Sequence, residues 1–308
     1  MTPVSHYFSA RSLPWIFVMC AVTACSSSDG TSVQTPAPVP TALTCPGGPL
    51  PVPKALITET PSTHFTPFPE PPLPSLPKAG AKATVLPFGT TILRLTDGTD
   101  GNTDMQVQYS YWPVFNGNCT FIHVKGRYAG SSPNVFSSRS VFFAFDPATS
   151  TAGPPIVLET PPPGSFLMER SDMIWSGISP DLIYGHNEVH RLWTYNVTSQ
   201  RYTMIKDFSG YLLPNGSLNQ MSKSLDDQVF AFTLTTDPLG EVPAGYFVWH
   251  RESDQILVRA LVPNLDEVQV DKSGRYLIVV YNDDGHDEIF DLAPSPPTLI
   301  DTFTQVDG

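Results

Sequence analysis

Few residues in this 308-residue chain have the types and spacing that catalysis or metal binding needs. The most suggestive run is His186-Asn187-Glu188-Val189-His190, two imidazoles around a carboxylate. All three groups are zinc ligands. The zincin arrangement is His-Glu-x-x-His on a helix, where residues four apart share a face. Here the flanking residues alternate like strands, so the run is expected at a hairpin tip, as a solvated turn or a metal site. Asp283-Asp284-Gly285-His286-Asp287 clusters acids that could bind Ca²⁺ weakly, but Asp-Gly is first of all a hairpin turn. The carboxylate pairs Asp226-Asp227 and Asp266-Glu267 stand beside turns and are read as solvent-facing. The sequence contains no Gly-x-Ser-x-Gly elbow and no Cys-x-x-Cys pair. No catalytic residue, metal or cofactor is therefore expected.

The elements that would position any site are short strands. From Ser171 to Phe208 the chain reads as four of them: Ile174 to Ile178, Leu182 to Tyr184, Arg191 to Val197 and Tyr202 to Ile205. Ser179-Pro180-Asp181 supplies a tight turn between the first two. Such a unit cannot bury both faces alone and needs neighbours stacked on it. The turn at Asp181 returns at Ser224-Leu225-Asp226-Asp227 and at Asp271-Lys272-Ser273-Gly274, spacings of 46 and 47 residues (227 minus 181; 274 minus 227). Those spacings fit the blades of a β-propeller. An earlier copy, Tyr111 to Asn118, stands 63 residues before Asp181, its excess accounted for by loops rich in Gly, Ser and Pro. Third strands follow at 140–146, 191–196, 245–250 and 288–292. Helical periodicity is absent, which excludes folds built on amphipathic crossovers. The fold class predicted is all-β, a propeller of four-stranded blades over residues 88–308, with four blades visible. The leading strand, Thr91 to Thr96, is expected to pair into the last blade.

Propellers bind ligands where their inner strands face the central channel. Counting back from the blade turns places Tyr109, Trp112, Asp172, Trp175, Asn219, Gln220 and Glu267 there. Aromatic rings stack on sugar C–H groups, while amides and carboxylates accept hydroxyl protons, so this set suits carbohydrate. The competing reading is that Trp112 and Trp175, each six residues before its turn, pack between blades.

The first 87 residues have another character. Arg11 precedes an apolar run from Leu13 to Ala24, the length of a signal-peptide core and too short for a permanent span. Residues 26–87 hold 15 of the 33 prolines and show no sustained periodicity, the composition of a semi-rigid spacer. Residues 1–24 are read as signal peptide and 25–87 as tether. Removing the signal takes the formal charge from −12 to −13, because Arg11 is its only charged residue. An acidic chain without basic clusters argues against nucleic acid and against adhesion to anionic lipid. Of four cysteines, Cys20 lies in the signal, and Cys45 and Cys119 remain to pair in an oxidising compartment or to stay apart, with Cys119 a small buried apolar residue.

Three resemblances complete the reading. Val22-Thr23-Ala24-Cys25 resembles the bacterial lipobox, which implies lipidation of Cys25, and Ser26 resembles the sorting signal for the outer membrane. The alternative is an ordinary secretory signal with an incidental cysteine. Phe143-Ala144-Phe145-Asp146-Pro147-Ala148-Thr149 and Leu192 to Ser199 resemble the third-strand endings of TolB-type and WD-repeat-like propellers of bacterial envelopes. More distantly, the strand Gly89 to Asp97 is similar to the opening strand of oligogalacturonate lyase propellers, whose metal-binding and catalytic side chains have no matching positions here. These families commonly have six or seven blades, so four copies point to a truncated propeller, a four-bladed ring or assembly with a partner. The function expected is a non-enzymatic binding or scaffold module for envelope protein or glycan, held to the membrane by a lipid anchor. The alternative is a polysaccharide-active enzyme of lyase type, for which a cluster of basic residues on one face would be needed.

Overall fold

The computed structural model describes residue 45 and residues 75–85, 90–99, 102–108, 112–128, 138–158, 173–187, 190–237, 242–262, 264–282 and 286–304. All of them belong to one compact unit, Val39–Gly308; the other, Met1–Pro38, lies outside the described residues and with it Cys25.

A short hairpin comes first, β1 (Lys82–Val85) with β2 (Thr90–Leu93). Among the described residues sixteen strands then form four antiparallel meanders. The first blade is β3 (Asn102–Gln106), β4 (Phe121–Tyr128), β5 (Ser138–Asp146) and β6 (Thr151–Val157); the second is β7 (Ile174–Trp175), β8 (Leu182–Asn187), β9 (Arg191–Asn196) and β10 (Arg201–Asp207). The third is β11 (Leu218–Lys223), β12 (Val229–Thr235), β13 (Pro243–His250) and β14 (Gln255–Leu261); the fourth is β15 (Leu265–Val270), β16 (Tyr276–Tyr281), β17 (His286–Asp291) and β18 (Thr298–Thr304). The protein is an all-β propeller of four-stranded blades.

Packing between blades explains why the strands read as they do. Every residue of β12 is buried, because both faces of the third blade are covered. Phe230, Phe232 and Leu234 face the second blade with Phe247 and Trp249, meeting Tyr184, Leu192 and Phe208. Val229 and Ala231 face the fourth with Tyr246 and Val248, meeting Val268, Leu277 and Val279. Phe142 similarly joins the first blade to Met173, Trp175, Ile183 and Tyr195 of the second. By contrast β18, the outer strand of the fourth blade, is exposed throughout.

The blade turns share one construction. Asn116, Ser176, Ser224 and Asp271 each accept backbone N–H groups of their own turn, for example Phe121 N to Asn116 Oδ1 at 2.9 Å, Ser179 N to Ser176 Oγ at 2.9 Å, Val229 N to Ser224 Oγ at 2.9 Å and Tyr276 N to Asp271 Oδ1 at 2.8 Å. Three residues after Asn116, Ser224 and Asp271 the backbone is left-handed, at Cys119 (φ 58°), Asp227 (φ 60°) and Gly274 (φ 76°). Each turn also docks on the next. Asn116 Nδ2 donates to Pro180 O (2.9 Å), Gly177 N to Asp227 Oδ1 (3.1 Å) and Leu225 N to Lys272 O (2.9 Å).

Two expectations change. The leading strand does not enter the last blade: β2 pairs with β1, all of which falls inside the Pro-rich stretch. His186 is not at a hairpin tip but within β8, opposite Leu192, and is 1% exposed with its ring edge-on to Phe232. The strand runs on because its neighbour in the third blade covers it.

Candidate functional site

The inner ends of the blades converge on a cavity of about 350 Å³. Its wall comes from Trp112 and Pro113 of the first blade, Ile174 and Trp175 on β7, the stretch from Gln220 to Leu225 on and after β11, and the stretch from Glu267 to Lys272 on and after β15. Short inner strands ending in tight turns bring these positions together. The second to fourth blades contribute the last residues of their innermost strands and the first contributes Trp112 and Pro113, which follow β3, and the docking of turn on turn fixes their separation.

Four of the seven sequence-derived candidates, Trp112, Trp175, Gln220 and Glu267, line this cavity. Asn219 precedes Gln220 on β11 and does not line it. Tyr109 and Asp172 lie outside the described residues. Both tryptophans are core residues as well, 8% and 3% exposed. The Trp112 indole N–H donates to Met221 O (3.1 Å) and that of Trp175 to Val114 O (3.2 Å), so each fastens one blade to another. The cavity therefore meets parts of the two indoles, not open ring faces.

The polar lining is unequal in kind. Gln220 Oε1 is buried and accepts no hydrogen bond. Glu267 is 6% exposed, and Gln269 Nε2 donates to its Oε1 at 2.9 Å. Ser222 Oγ accepts from Val270 N (2.6 Å), tying the third blade to the fourth. Asp271 spends its carboxylate on the N–H groups of Ser273, Arg275 and Tyr276, which hold it below the usual carboxylate range against the opposing effect of burial.

Sequence reasoning missed Lys223 and its partner. The Lys223 side chain is 3% exposed and its ammonium is bound by Asp227, 1% exposed, and by Ser224 O at 3.2 Å. Burial lowers the Lys223 pKa, and Asp227 opposes that shift. Asp227 also accepts from Ser176 Oγ, Gly177 N and Tyr184 Oη (3.3 Å), all on the second blade. Arg251 Nη1 in turn donates to Tyr184 Oη at 2.8 Å. Asp227 and Glu267 are thus not solvent-facing, because the turn and the inner strand that carry them are roofed by the adjacent blade; Asp266 is exposed. A signal was present, since Lys223 and Asp227 are an oppositely charged pair beside a repeated turn.

The other motifs separate. His190 lies 3.7 Å from Asp207, while His186 is in the core between blades; Glu188 and Val189 lie outside the described residues. His286 stacks on Tyr281 at 4.8 Å, and residues 283–285 are outside the described set. Among the described residues no group of three or more His, Cys, Asp or Glu is arranged to hold a metal. Cys45 and Cys119 are joined in a disulfide with a Cα–Cα distance of 5.0 Å, closing the chain onto the first blade turn. None of the described helices is long and apolar enough to cross a membrane.

No protein-family model matches the sequence, and no curated protein is significantly similar to it. Among solved structures, the chain is similar to an oligogalacturonate lyase in complex with manganese, with 9% identity and a TM-score of 0.42 over 74% of this chain and 73% of that one. It is also similar to the oligogalacturonate lyase of Vibrio parahaemolyticus, with 10% identity and a TM-score of 0.43 over 68% of this chain and 52% of that one, about half its length.

Proposed function

We propose that this protein is a binding module whose axial cavity takes one unit of a saccharide, carried on the cell envelope by an acyl chain on Cys25. The observation that carries the reading is the cavity itself: about 350 Å³, within the roughly 300–1,000 Å³ range of small-molecule sites, with an apolar wall and a few convergent polar groups. Ile174, Met221, Val268 and Val270 with the indoles offer the apolar surface that a pyranose C–H face needs, while Gln220, Gln269 and Glu267 supply amides and a carboxylate for its hydroxyls. The residues that line the cavity hold hydrogen bonds between blades, which favours a preformed site over one assembled on binding.

Titration of the full-length protein with a panel of oligosaccharides, followed by calorimetry and by the fluorescence of Trp112 and Trp175, tests the proposal. Saturable binding that is lost on filling the cavity with Gln220→Trp is expected; a folded protein that retains no saccharide overturns it. Release of an unsaturated product from a uronate polymer would instead favour the lyase reading, because β-elimination leaves a double bond. For the anchor, labelled fatty acid should enter the wild-type protein and not Cys25→Ala. Equal labelling of the two removes the lipid from Cys25.

A further inference from the structure

We infer that the axial cavity selects saccharide units that donate hydrogen bonds and carry no carboxylate, neutral or amino-bearing, and rejects uronates. This rests on the saccharide reading above and adds its specificity.

Two of the groups on the cavity wall, Gln220 Oε1 and the Glu267 carboxylate, are acceptors. Gln220 Oε1 is buried without a partner, so a ligand hydroxyl or ammonium that reaches it makes a bond the empty cavity lacks. Glu267 presents a carboxylate from a residue 6% exposed, and its neighbour Gln269 is turned toward it with the amide nitrogen. A uronate brought against Glu267 would place two carboxylates side by side.

Of the two cations on the cavity wall, Lys223 is committed and Lys272 is exposed. Lys223 lines the cavity, but its ammonium is held by Asp227 and Ser224 O. Withdrawing it would leave Asp227, 1% exposed in its side chain, without its counter-ion between two blades. Lys272 is exposed, where water and salt screen it. Asp271, the other lining carboxylate, already accepts from three backbone N–H groups and from the Ser273 hydroxyl.

The test compares a maltotriose, a glucosamine trisaccharide and a trigalacturonate on the full-length protein at low and at 0.15 M salt. A like-charge contact opposes the uronate, so a gap of at least about tenfold against it is expected, about 1.4 kcal/mol. Glu267→Gln should narrow that gap, and Gln220→Leu should weaken the neutral sugar by several-fold. Loss of a preference for the glucosamine trisaccharide in Glu267→Gln assigns the recognised donor as ammonium; equal binding of the two sugars assigns it as hydroxyl. Uronate binding as tightly as the neutral sugar to wild-type protein overturns the selectivity while leaving the binding module standing. Failure of all three sugars to bind sinks the binding module and its specificity together.

Discussion

Replacing Asp227 by Asn is the most discriminating perturbation of this fold. Asn has nearly the same volume and tolerates the left-handed backbone that position 227 adopts (φ 60°), so neither packing nor backbone strain is the variable. What is removed is a charge that is 1% exposed and that receives Lys223, Ser176, Gly177 and Tyr184 at once. Lys223, 3% exposed, would then be a cation buried without its counter-ion. Deleting one partner of such a pair costs about 3–5 kcal/mol. At roughly 2–4 °C per kcal/mol for a domain of this size, the thermal midpoint should fall by about 6–20 °C. Lys223→Met should cost less, about 1–3 kcal/mol, because Asp227 keeps its three donors on the second blade. The double variant should recover part of the Asp227→Asn loss, giving a coupling energy of about 2 kcal/mol. Denaturant titration followed by tryptophan fluorescence measures all three, since Trp112 and Trp175 are buried at blade junctions. A loss below about 1 kcal/mol for Asp227→Asn, or a larger loss for Lys223→Met, would refute the assignment of Asp227 as the hub.

Three further outcomes follow from the same geometry. A Cβ on Gly177 would stand 1.9 Å from Leu225 O and 2.7 Å from its Cδ1, so Gly177→Ala should force the second and third blade turns apart and lower stability by about 1–3 kcal/mol, read by chemical denaturation. Burial, and secondarily Lys125, pushes His123 down to about 3 from its ordinary 6.5, so the unfolded chain binds the extra proton between those values. Stability should therefore fall as pH drops through that window, by at most about 1.4 kcal/mol per pH unit from this group, and His123→Leu should flatten that limb while leaving the slope above pH 6.5 unchanged. Finally, Cys45 and Cys119 are 74 residues apart, and loop closure of that length contributes up to about 4 kcal/mol. Reductant should lower the thermal midpoint of wild-type protein and leave that of Cys119→Ser where it is.

Architecture was legible in the sequence wherever a local rule decided it. The third strands of the second to fourth blades stand where alternation and turn chemistry put them, as in β9 and β13, because burial between blades leaves apolar runs bounded by polar turns. Where a tertiary partner decides, the reading departed. The leading strand pairs with β1 instead of the last blade, since Thr90–Leu93 carries no local signal for which edge it joins. His186 belongs to β8 because Phe232, 46 residues further on, covers it. Four cavity residues were found by counting back from the turns, yet the burial of the indoles could not be, since it depends on Met221 and Val114 carbonyls in other blades.

The turns carry one consequence for ligand binding. Their left-handed position is held by three chemically different residues: Cys119 fastens the preceding chain, Asp227 gathers donors from the second blade, and Gly274 packs with its Cα side against Val229 and Ser224, where a Cβ would come within 3.0 Å. The conformation repeats while the side chain is left to secure a different neighbour. Lys223 belongs at once to that fastening and to the cavity wall. A ligand that drew Lys223 from Asp227 would loosen the junction of the second and third blades, and the energy of that junction would be subtracted from its affinity. On the saccharide proposal, ligands that leave the pair intact would incur no such penalty, so the device that holds the blades together would also shape what the cavity accepts.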